Sequence, residues 1–331
     1  MFTIQASLFG PFELYELRDP ATGALARVVP GYGATLTALE LPAPPDGAAR
    51  AVLVGPPDAA GLVHDPKYRG ALLLPFVNRI RDGRYSFEGQ PHHLPCNEPA
   101  RNVALHGFGF HQPFAVTAAD ATADAARLAL TYDAPGDAPG YPFPFRAEVE
   151  YELTATGLTL TLRVRNAGPT ALPLGAGWHP YFHLDGLIDE LVIQAPIRAA
   201  VQTDPDRLLP TGELEPAPDF ANGLLLGSRF IDQSFALNLD DRPGQRIETT
   251  LFHPPTNRRL TLWQDAGPNQ FRYLHFYTDP SRAALAVEPV TSAPDAFNTG
   301  QGLIQLEPGA TFEARWGVRM GNEQPEIRND E

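Results

Sequence analysis

The chain has 331 residues, of which 43% are hydrophobic, and a formal net charge of −14. This acidic balance repels phosphate backbones and anionic lipid headgroups, so we expect no nucleic-acid partner and no membrane-surface partner. The single cysteine excludes an intrachain disulfide and fits a reducing compartment. No signal peptide or membrane-spanning stretch is evident, so we expect a cytoplasmic protein.

Short strands dominate the predicted elements, whereas helical periodicity is scarce. The first candidates in chain order are residues 27–29, 51–54, 72–77, 85–87 and 128–132. Apolar and polar residues then alternate over 145–153 and again over 158–165, on either side of a short turn at 154–157. This pattern predicts an antiparallel hairpin with one buried and one wet face. The remaining candidates are residues 260–263, 271–277, 284–287 and 312–319.

The segments between the strands contain no linker that would divide the chain. Residues 118–126 are predicted to form a surface loop or short turn, and residues 133–144 a Pro/Gly loop. Many short strands separated by such turns predict an all-β fold, a sandwich or a barrel. We therefore predict a single domain over residues 1–320, followed by a polar tail over residues 321–331.

His179 lies in the most informative segment, Gly-Trp-His-Pro-Tyr-Phe at residues 177–182. An imidazole can donate or accept a proton near neutral pH, and neighbouring aromatic rings suit the apolar face of a sugar. The alternative is a histidine packed in the core at the end of a strand, which is the commoner outcome when the segment is considered alone.

Two further candidates lie at strand ends. Glu288 closes the apolar run 285–287, where partial burial would raise the pKa of its carboxyl toward that of a general base. The alternative is a carboxylate that points into water. Arg79 follows a hydrophobic strand and either binds a ligand oxygen or pairs with an acidic neighbour, the latter being commoner.

Other polar residues are candidates for binding. His106 stands beside Gly107, which would let the backbone approach a ligand closely, although a solvated histidine at a turn is equally compatible. Asp232 offers an acceptor for hydroxyl groups, or it is a turn residue. His93 and Cys96 have close spacing but no second pair of ligands, so we predict an ordinary loop at residues 91–96 and no metal site.

In their shared order, these segments resemble the aldose 1-epimerase (mutarotase) family. The matching elements are Asn-Arg-Ile at 78–80, Gly-Arg-Tyr at 83–85, Phe87 and Gly89, Leu-His-Gly at 105–107, Gly-Tyr-Pro at 140–142, Trp-His-Pro-Tyr-Phe at 178–182, the segment around Asp232, Val-Glu-Pro at 287–289, and Pro-Asp-Ala-x-Asn at 294–298. The resemblance implies a large antiparallel β-sandwich of the galactose mutarotase type.

The resemblance also implies roles. Glu288 would take the proton from the C1 hydroxyl of a monosaccharide, and His179 would protonate the ring oxygen. Arg79, His106 and Asp232 would hold sugar oxygens. We expect the acid and the base on opposite sides of the hemiacetal, both titrating near neutrality. Glu288 would then set the acidic limb of the pH profile and His179 the basic limb. No cofactor is implied, and the protein is expected to be a monomer or homodimer.

Departures from the family pattern bear on substrate choice. Residues 108–114 replace a stretch in which galactose mutarotases carry another Gly and then a Trp, and His183 stands where an Asn is usual. Both changes are expected at the pocket rim. The acidic composition favours a neutral aldose over a hexose 6-phosphate. Two competing hypotheses are a glycoside hydrolase, which needs two opposed carboxyl groups, and a sugar-binding protein without turnover.

Overall fold

Antiparallel strands make up most of the computed structural model, which describes residues 1–43, 46–239, 244–267 and 269–321. The strands are, in chain order, β1 (Thr3–Phe9), β2 (Phe12–Arg18), β3 (Leu25–Val29), β4 (Thr35–Pro42), β5 (Ala49–Ala51), β6 (Ala71–Leu73), β7 (Arg79–Arg81), β8 (Arg84–Phe87), β9 (Gln90–His93), β10 (Val103–Leu105), β11 (Ala115–Ala121), β12 (Ala125–Ala134), β13 (Phe145–Thr154), β14 (Gly157–Asn166), β15 (Leu172–Leu174), β16 (Gly177–His179), β17 (Tyr181–Phe182), β18 (Val192–Gln194), β19 (Ile197–Thr203), β20 (Pro210–Glu215), β21 (Leu224–Leu225), β22 (Asp232–Leu237), β23 (Gln245–His253), β24 (Arg258–Ala266), β25 (Tyr273–Thr278), β26 (Leu285–Val290), β27 (Ile304–Leu306) and β28 (Thr311–Gly321). The helical elements are short: α1 (Ala59–Val63), α2 (Ala296–Thr299) and 3-10 turns at Gly109–His111, Ile188–Glu190 and Pro254–Thr256.

A nine-stranded sheet is built around the predicted hairpin. β13 pairs with β14 from Phe145 opposite Asn166 to Thr154 opposite Gly157, and burial alternates strictly along β13. β28 continues the sheet next to β14, and the order across the sheet is β11-β12-β13-β14-β28-β24-β23-β18-β21. Both the hairpin and the strand at 312–319 are therefore confirmed, because a sheet with one wet face produces period-two alternation.

The nine-stranded sheet packs with two other large sheets around one core. A five-stranded sheet has the order β1-β2-β3-β4-β5, and an eight-stranded sheet has the order β20-β19-β22-β25-β26-β16-β6, with β17 also paired to β26. The largest buried cluster includes Leu17, Tyr151 and Phe276, one from each sheet, all fully buried. The predicted single-domain, antiparallel β-sandwich is confirmed.

The eight-stranded sheet carries the strands on which the predicted acid and base lie. In β26 all six residues are buried, and β16 is buried throughout. Such strands show no alternation, because both of their faces are covered. In this register His275 on β25 lies directly opposite Glu288 on β26.

Some predicted elements were wrong. Residues 118–126 contain the end of β11 and the start of β12 rather than a loop, because β11 is an edge strand whose residues are nearly all exposed and therefore show no alternation. Residues 91–93 belong to β9, which pairs with β8. The strand predicted over 72–77 ends at Leu73, before Pro75, which has no N–H for a ladder.

The predicted polar tail lies outside the described residues apart from Gly321, which ends β28. Among the described residues, no helix combines the length and the apolar character needed to cross a bilayer.

Candidate active site

A cavity of about 430 Å³ opens beside the eight-stranded sheet. All of the residues predicted for catalysis or sugar binding line it: Arg79, His106, His179, Asp232 and Glu288. They come from distant parts of the chain, and the sheet brings them together. The floor of the cavity is buried, with His106, His179 and Glu288 between 2% and 6% exposed.

His179 faces the cavity because Trp178 occupies the opposite face of β16. Trp178 is fully buried and donates its indole N–H to the carbonyl of Gly70 at 3.2 Å. Among the aromatic residues next to His179, Trp178 therefore does not line the cavity. The imidazole of His179 instead stacks on the rings of Tyr181 and Tyr68, with centroid distances of 5.3 and 6.2 Å.

Glu288 and His179 are in direct contact. Oε1 of Glu288 lies 3.3 Å from Nε2 of His179. Oε2 of Glu288 and Nδ1 of His179 are both buried, and within the described part of the chain neither has a hydrogen-bond partner. Unsatisfied buried polar atoms carry a cost and are found at functional sites. A polar ligand in the cavity would supply a partner for the carboxylate.

Burial shifts the pKa values of the two groups in opposite directions. It raises the pKa of Glu288 to about 7, whereas burial and the neighbouring charge of His275 lower the pKa of His179 to about 3. The expectation that both titrate near neutrality was thus wrong for His179, whose imidazole is enclosed by aromatic rings.

His275 is a third titratable group that sequence reasoning missed. Its Nε2 lies 3.1 Å from Oδ1 of Asp232, and its Nδ1 lies 2.8 Å from Oγ of Ser234. Burial lowers the pKa of His275, but the carboxylates of Glu288 and Asp232 outweigh that effect, so the pKa is raised overall. The sequence signal was weak: His275 is a single polar residue on the face that it shares with Tyr273 and Tyr277.

Arg79 pairs with an acidic neighbour, the commoner of the two interpretations of the sequence, whereas its binding to a ligand oxygen stays a prediction. Its Nε donates to Oε2 of Glu98 at 2.8 Å, so it has an acidic partner, and it lines the cavity as well. Asp295 holds this strand in place, since its backbone N–H donates to the carbonyl of Arg79 and its side chain accepts from the N–H of Arg81. The motif at 294–298 is therefore structural.

His106 presents a hydrogen-bond donor to the cavity. Its Nδ1 accepts from the backbone N–H of Asn78 at 3.2 Å, so the neutral ring carries its proton on Nε2. Burial, followed by the charges of His179, Arg79 and His275, lowers the pKa of His106 well below its usual value. Gly107 is required by backbone packing rather than by ligand approach, because a Cβ there would lie 2.0 Å from the carbonyl oxygen of Leu74.

His106, His179 and Glu288 place one ligand-type atom each within 4.8 Å of one another, which is close enough to consider a metal ion. The donor set does not fit one. A metal-bound histidine donates its other ring N–H to an acceptor, whereas the Nδ1 of His106 accepts a hydrogen bond and leaves the proton on Nε2. Within the described ranges, His93 and Cys96 belong to no such group.

The two departures from the family pattern lie away from the cavity. His183 does not line it, and neither do residues 108–114. The ring of Phe110 packs edge-on against Tyr68, which lines the cavity, with a centroid distance of 4.9 Å. The expectation that both changes touch the pocket rim was wrong.

Comparison with known proteins identifies the family of the chain. The sequence profile described as aldose 1-epimerase matches residues 13–319. The chain belongs to the aldose 1-epimerase family. It is 31% identical over 248 residues to the uncharacterized protein YihR of Escherichia coli K12, which covers 72% of this chain and 75% of that protein.

Two other comparisons are more limited. A maltose epimerase of Levilactobacillus brevis is 36% identical over 103 residues, 30% of this chain and 29% of that one. A galactose mutarotase-like protein of Clostridium acetobutylicum superposes with a TM-score of 0.85, covering 97% of this chain and 99% of the other, at 20% identity. The latter likeness shows the fold alone.

Proposed function

We propose that the protein interconverts the α and β anomers of a free aldose by opening and reclosing the sugar ring. The observation that carries the proposal is the buried contact between Glu288 and His179 on the floor of the cavity. A general acid and a general base in that position each contribute about 10²–10⁴-fold to a rate. The maltose epimerase likeness supports an anomer-directed reaction, although it covers a small part of the chain.

The adjacency of the two groups suits a reaction at a hemiacetal. The C1 hydroxyl oxygen and the ring oxygen are bonded to the same carbon, so neighbouring groups can each reach one of them. Glu288 takes the hydroxyl proton while His179 gives a proton to the ring oxygen, and the C1–ring oxygen bond breaks to leave the aldehyde. Rotation about C1–C2 exposes the other face, and closure runs with the roles reversed.

Glu288 must be ionised and His179 protonated for this step, so the one proton of the pair first passes from Oε1 of Glu288 to Nε2 of His179 across their 3.3 Å contact. His106 donates from Nε2 and Arg79 from its guanidinium, and these donors orient sugar oxygens at the floor. Asp232 accepts from a sugar hydroxyl through its carboxylate while it holds His275. No electron, hydride or phosphoryl group moves, so the chemistry proposed here needs no cofactor.

The remaining carboxylates of the cavity disfavour a glycoside hydrolase. Asp232 is bonded to His275, and Glu98 pairs with both Arg79 and Arg101, so neither is placed as a free second catalytic carboxyl. A sugar-binding protein without turnover would have no use for an acid–base pair of this kind.

The cations of the cavity favour a neutral sugar. Lys67 pairs with Asp279, and Arg79 and Arg101 pair with Glu98. A phosphate group needs several unpaired cationic donors. We therefore propose a neutral aldose as substrate, in a cytoplasmic monomer or homodimer.

Polarimetry on freshly dissolved α-glucose, α-galactose, xylose and glucose 6-phosphate tests the proposal. The protein should accelerate the optical change of the neutral sugars above the spontaneous rate, while the Glu288→Gln variant should not. No acceleration with any sugar, or release of the aglycone from a glycoside, would contradict the proposed reaction. A higher kcat/KM for glucose 6-phosphate than for glucose would contradict the neutral substrate.

A further inference from the structure

Two tyrosine rings lie nearly parallel to the imidazole of His179. The ring of Tyr181 has its centroid 5.3 Å from that of the imidazole, with an interplanar angle of 12°. The ring of Tyr68 lies at 6.2 Å and 27°. Tyr68 also meets the ring of His106 edge-on, with a centroid distance of 4.8 Å. One phenol ring therefore contacts both histidines on the floor of the cavity.

The position of Tyr68 is imposed by its surroundings. Its φ is 53°, in the left-handed region that a residue with a side chain rarely adopts. Its hydroxyl accepts a hydrogen bond from Nδ2 of Asn97 at 3.2 Å, and Phe110 packs edge-on against its ring. Backbone strain of this kind persists only where the surrounding structure maintains it, and it clusters at active sites.

The segment that carries Tyr68 is also fastened to the strand that carries His179. The carboxylate of Asp65 closes this segment, since it accepts from the backbone N–H of Arg69 at 2.9 Å and from Nε of the same residue at 3.0 Å. The N–H of Gly70 then donates to the carbonyl of His179 at 2.9 Å. The ring of Tyr68 thus keeps a fixed relation to the imidazole.

Tyr68 limits the access of water to His179. Tyr68 is partly exposed whereas His179 is 5% exposed, so the phenol ring covers part of the imidazole. Burial is the main reason why the pKa of His179 is lowered to about 3, and it outweighs the attraction of aromatic faces for a cation. The other titratable groups around His179 remain when Tyr68 is replaced: Asp65, His106, Asp232, His275 and Glu288.

We propose that Tyr68 is a positioning residue for His179, whose ring fixes the plane of the imidazole with Nε2 against Oε1 of Glu288 and keeps water away from it. This inference rests on the proposed function. In that reaction Nε2 receives the proton of Glu288 and then passes it to the ring oxygen of the sugar. A rotated imidazole misaligns both transfers, and small misplacements of a reacting group are costly.

The first test compares two substitutions of Tyr68 by polarimetry on freshly dissolved α-glucose. Tyr68→Ala should lower kcat at least about tenfold, with a smaller change in KM. Tyr68→Phe keeps the ring and loses only the hydroxyl, so it should recover most of the lost kcat. The control is Tyr15→Ala, because Tyr15 is also partly buried but lies on β2, outside the cavity, and should change neither constant.

The second test follows the imidazole directly, without a sugar. NMR signals of the His179 ring, assigned with His179→Asn, should barely move between pH 7 and pH 4 in the wild type. In Tyr68→Ala they should titrate, because water reaches the ring and raises its pKa above about 4. Circular dichroism at each pH verifies that the variant is folded, and Tyr68→Leu replaces it in both tests if it is not.

The outcomes separate the two claims. A Tyr68→Phe variant as slow as Tyr68→Ala, or a folded Tyr68→Ala in which His179 titrates as in the wild type, would overturn the positioning role. A wild type that epimerises no sugar would overturn the proposed function, and the NMR titration would then still decide whether Tyr68 controls the environment of His179.

Discussion

Glu288 and His275 occupy directly opposed positions on neighbouring antiparallel strands, β26 and β25. His275 also forms a hydrogen bond with Asp232, which lies on β22, the other neighbour of β25. The imidazole of His275 therefore belongs to a strand that lies between those of the two carboxylates, and all three residues line one cavity. Both carboxylates favour the protonated, positively charged form of His275. That charge lowers the pKa of Glu288, whereas burial raises it. The protonation of the proposed base therefore depends on a residue that need not touch the sugar.

The first prediction concerns the pH profile of the wild type. The reactive pair holds one proton, and it loses that proton as the pH rises through the raised pKa of Glu288, about 7. The pair gains a second proton only as the pH falls toward the lowered pKa of His179, about 3. We therefore expect kcat/KM to fall above about pH 7 and to hold well into the acidic range, with apparent pKa values that belong to the pair.

This profile reverses the assignment of the two limbs that the sequence analysis made. Polarimetry from pH 4.5 to 9 measures it, with circular dichroism at each pH to verify that the protein stays folded. An activity that rises between pH 6 and 8 would support the assignment made from the sequence and contradict the buried pair described here.

The second prediction tests His275 as a positioning residue. His275→Gln keeps a polar side chain but removes the positive charge, so the pKa of Glu288 should rise and the basic limb should move to higher pH. The control is His253→Gln, since His253 is also buried but bonds to Thr256 and lies outside the cavity. A basic limb that does not move, or that moves equally in both variants, would show that His275 has only a structural role.

The third prediction concerns the acid–base pair. Glu288→Gln removes the proton acceptor, and His179→Asn removes the group that protonates the ring oxygen. Each should lower kcat at least about a hundredfold while the protein stays folded. The double variant should be little worse than the worse single variant, because the two groups act in one proton-transfer cycle. Wild-type epimerisation rates in folded Glu288→Gln would place the base elsewhere.

The sequence predicted the parts of the fold that have one wet face. The hairpin of β13 and β14 alternates because polar side chains on one face meet water. β11 lies at a sheet edge with nearly every residue exposed, so its sequence is that of a loop. Alternation is lost where both faces touch the same medium, and β26, which is buried on both faces, was identified from its continuous apolar run instead.

The site residues were predictable as residue types, but their arrangement was not. Glu288 and His179 could be identified from short motifs, whereas their contact depends on β16, β17 and β26 lying together in one sheet. The importance of His275 likewise follows from the pairing of β25 with β26 and β22. Long-range strand pairing of this kind leaves no local signal in a single sequence.

The fourth prediction concerns metal ions. Because the neutral ring of His106 carries its proton on Nε2, the group of His106, His179 and Glu288 is expected to bind sugar oxygens rather than a cation. Exhaustive treatment with EDTA should leave kcat/KM unchanged, and Cys96→Ser should be close to neutral. A loss of activity on chelation that zinc restores would contradict this interpretation.

The fifth prediction concerns stability. The pKa of Glu288 is about 7 in the folded protein, above the ordinary value of 4.5, so its contribution to stability is complete below about pH 4.5 and is lost as the pH rises through 7. Glu288→Gln cannot ionise. The free energy of unfolding of this variant relative to the wild type should therefore increase between pH 5 and pH 8, by at most about 3 kcal/mol. Its melting temperature relative to the wild type should rise over the same range.

Differential scanning calorimetry at pH 5, 6.5 and 8 measures this difference. Glu307→Gln is the matched control, because Glu307 is exposed and its substitution should produce no comparable trend with pH. Glu288→Gln should be more stable than the wild type at high pH and also inactive. Burial of the carboxylate destabilises its charged form, and the same burial brings its pKa near neutrality. A difference between Glu288→Gln and the wild type that stays constant with pH would mean that Glu288 ionises as readily in the folded cavity as in the unfolded chain.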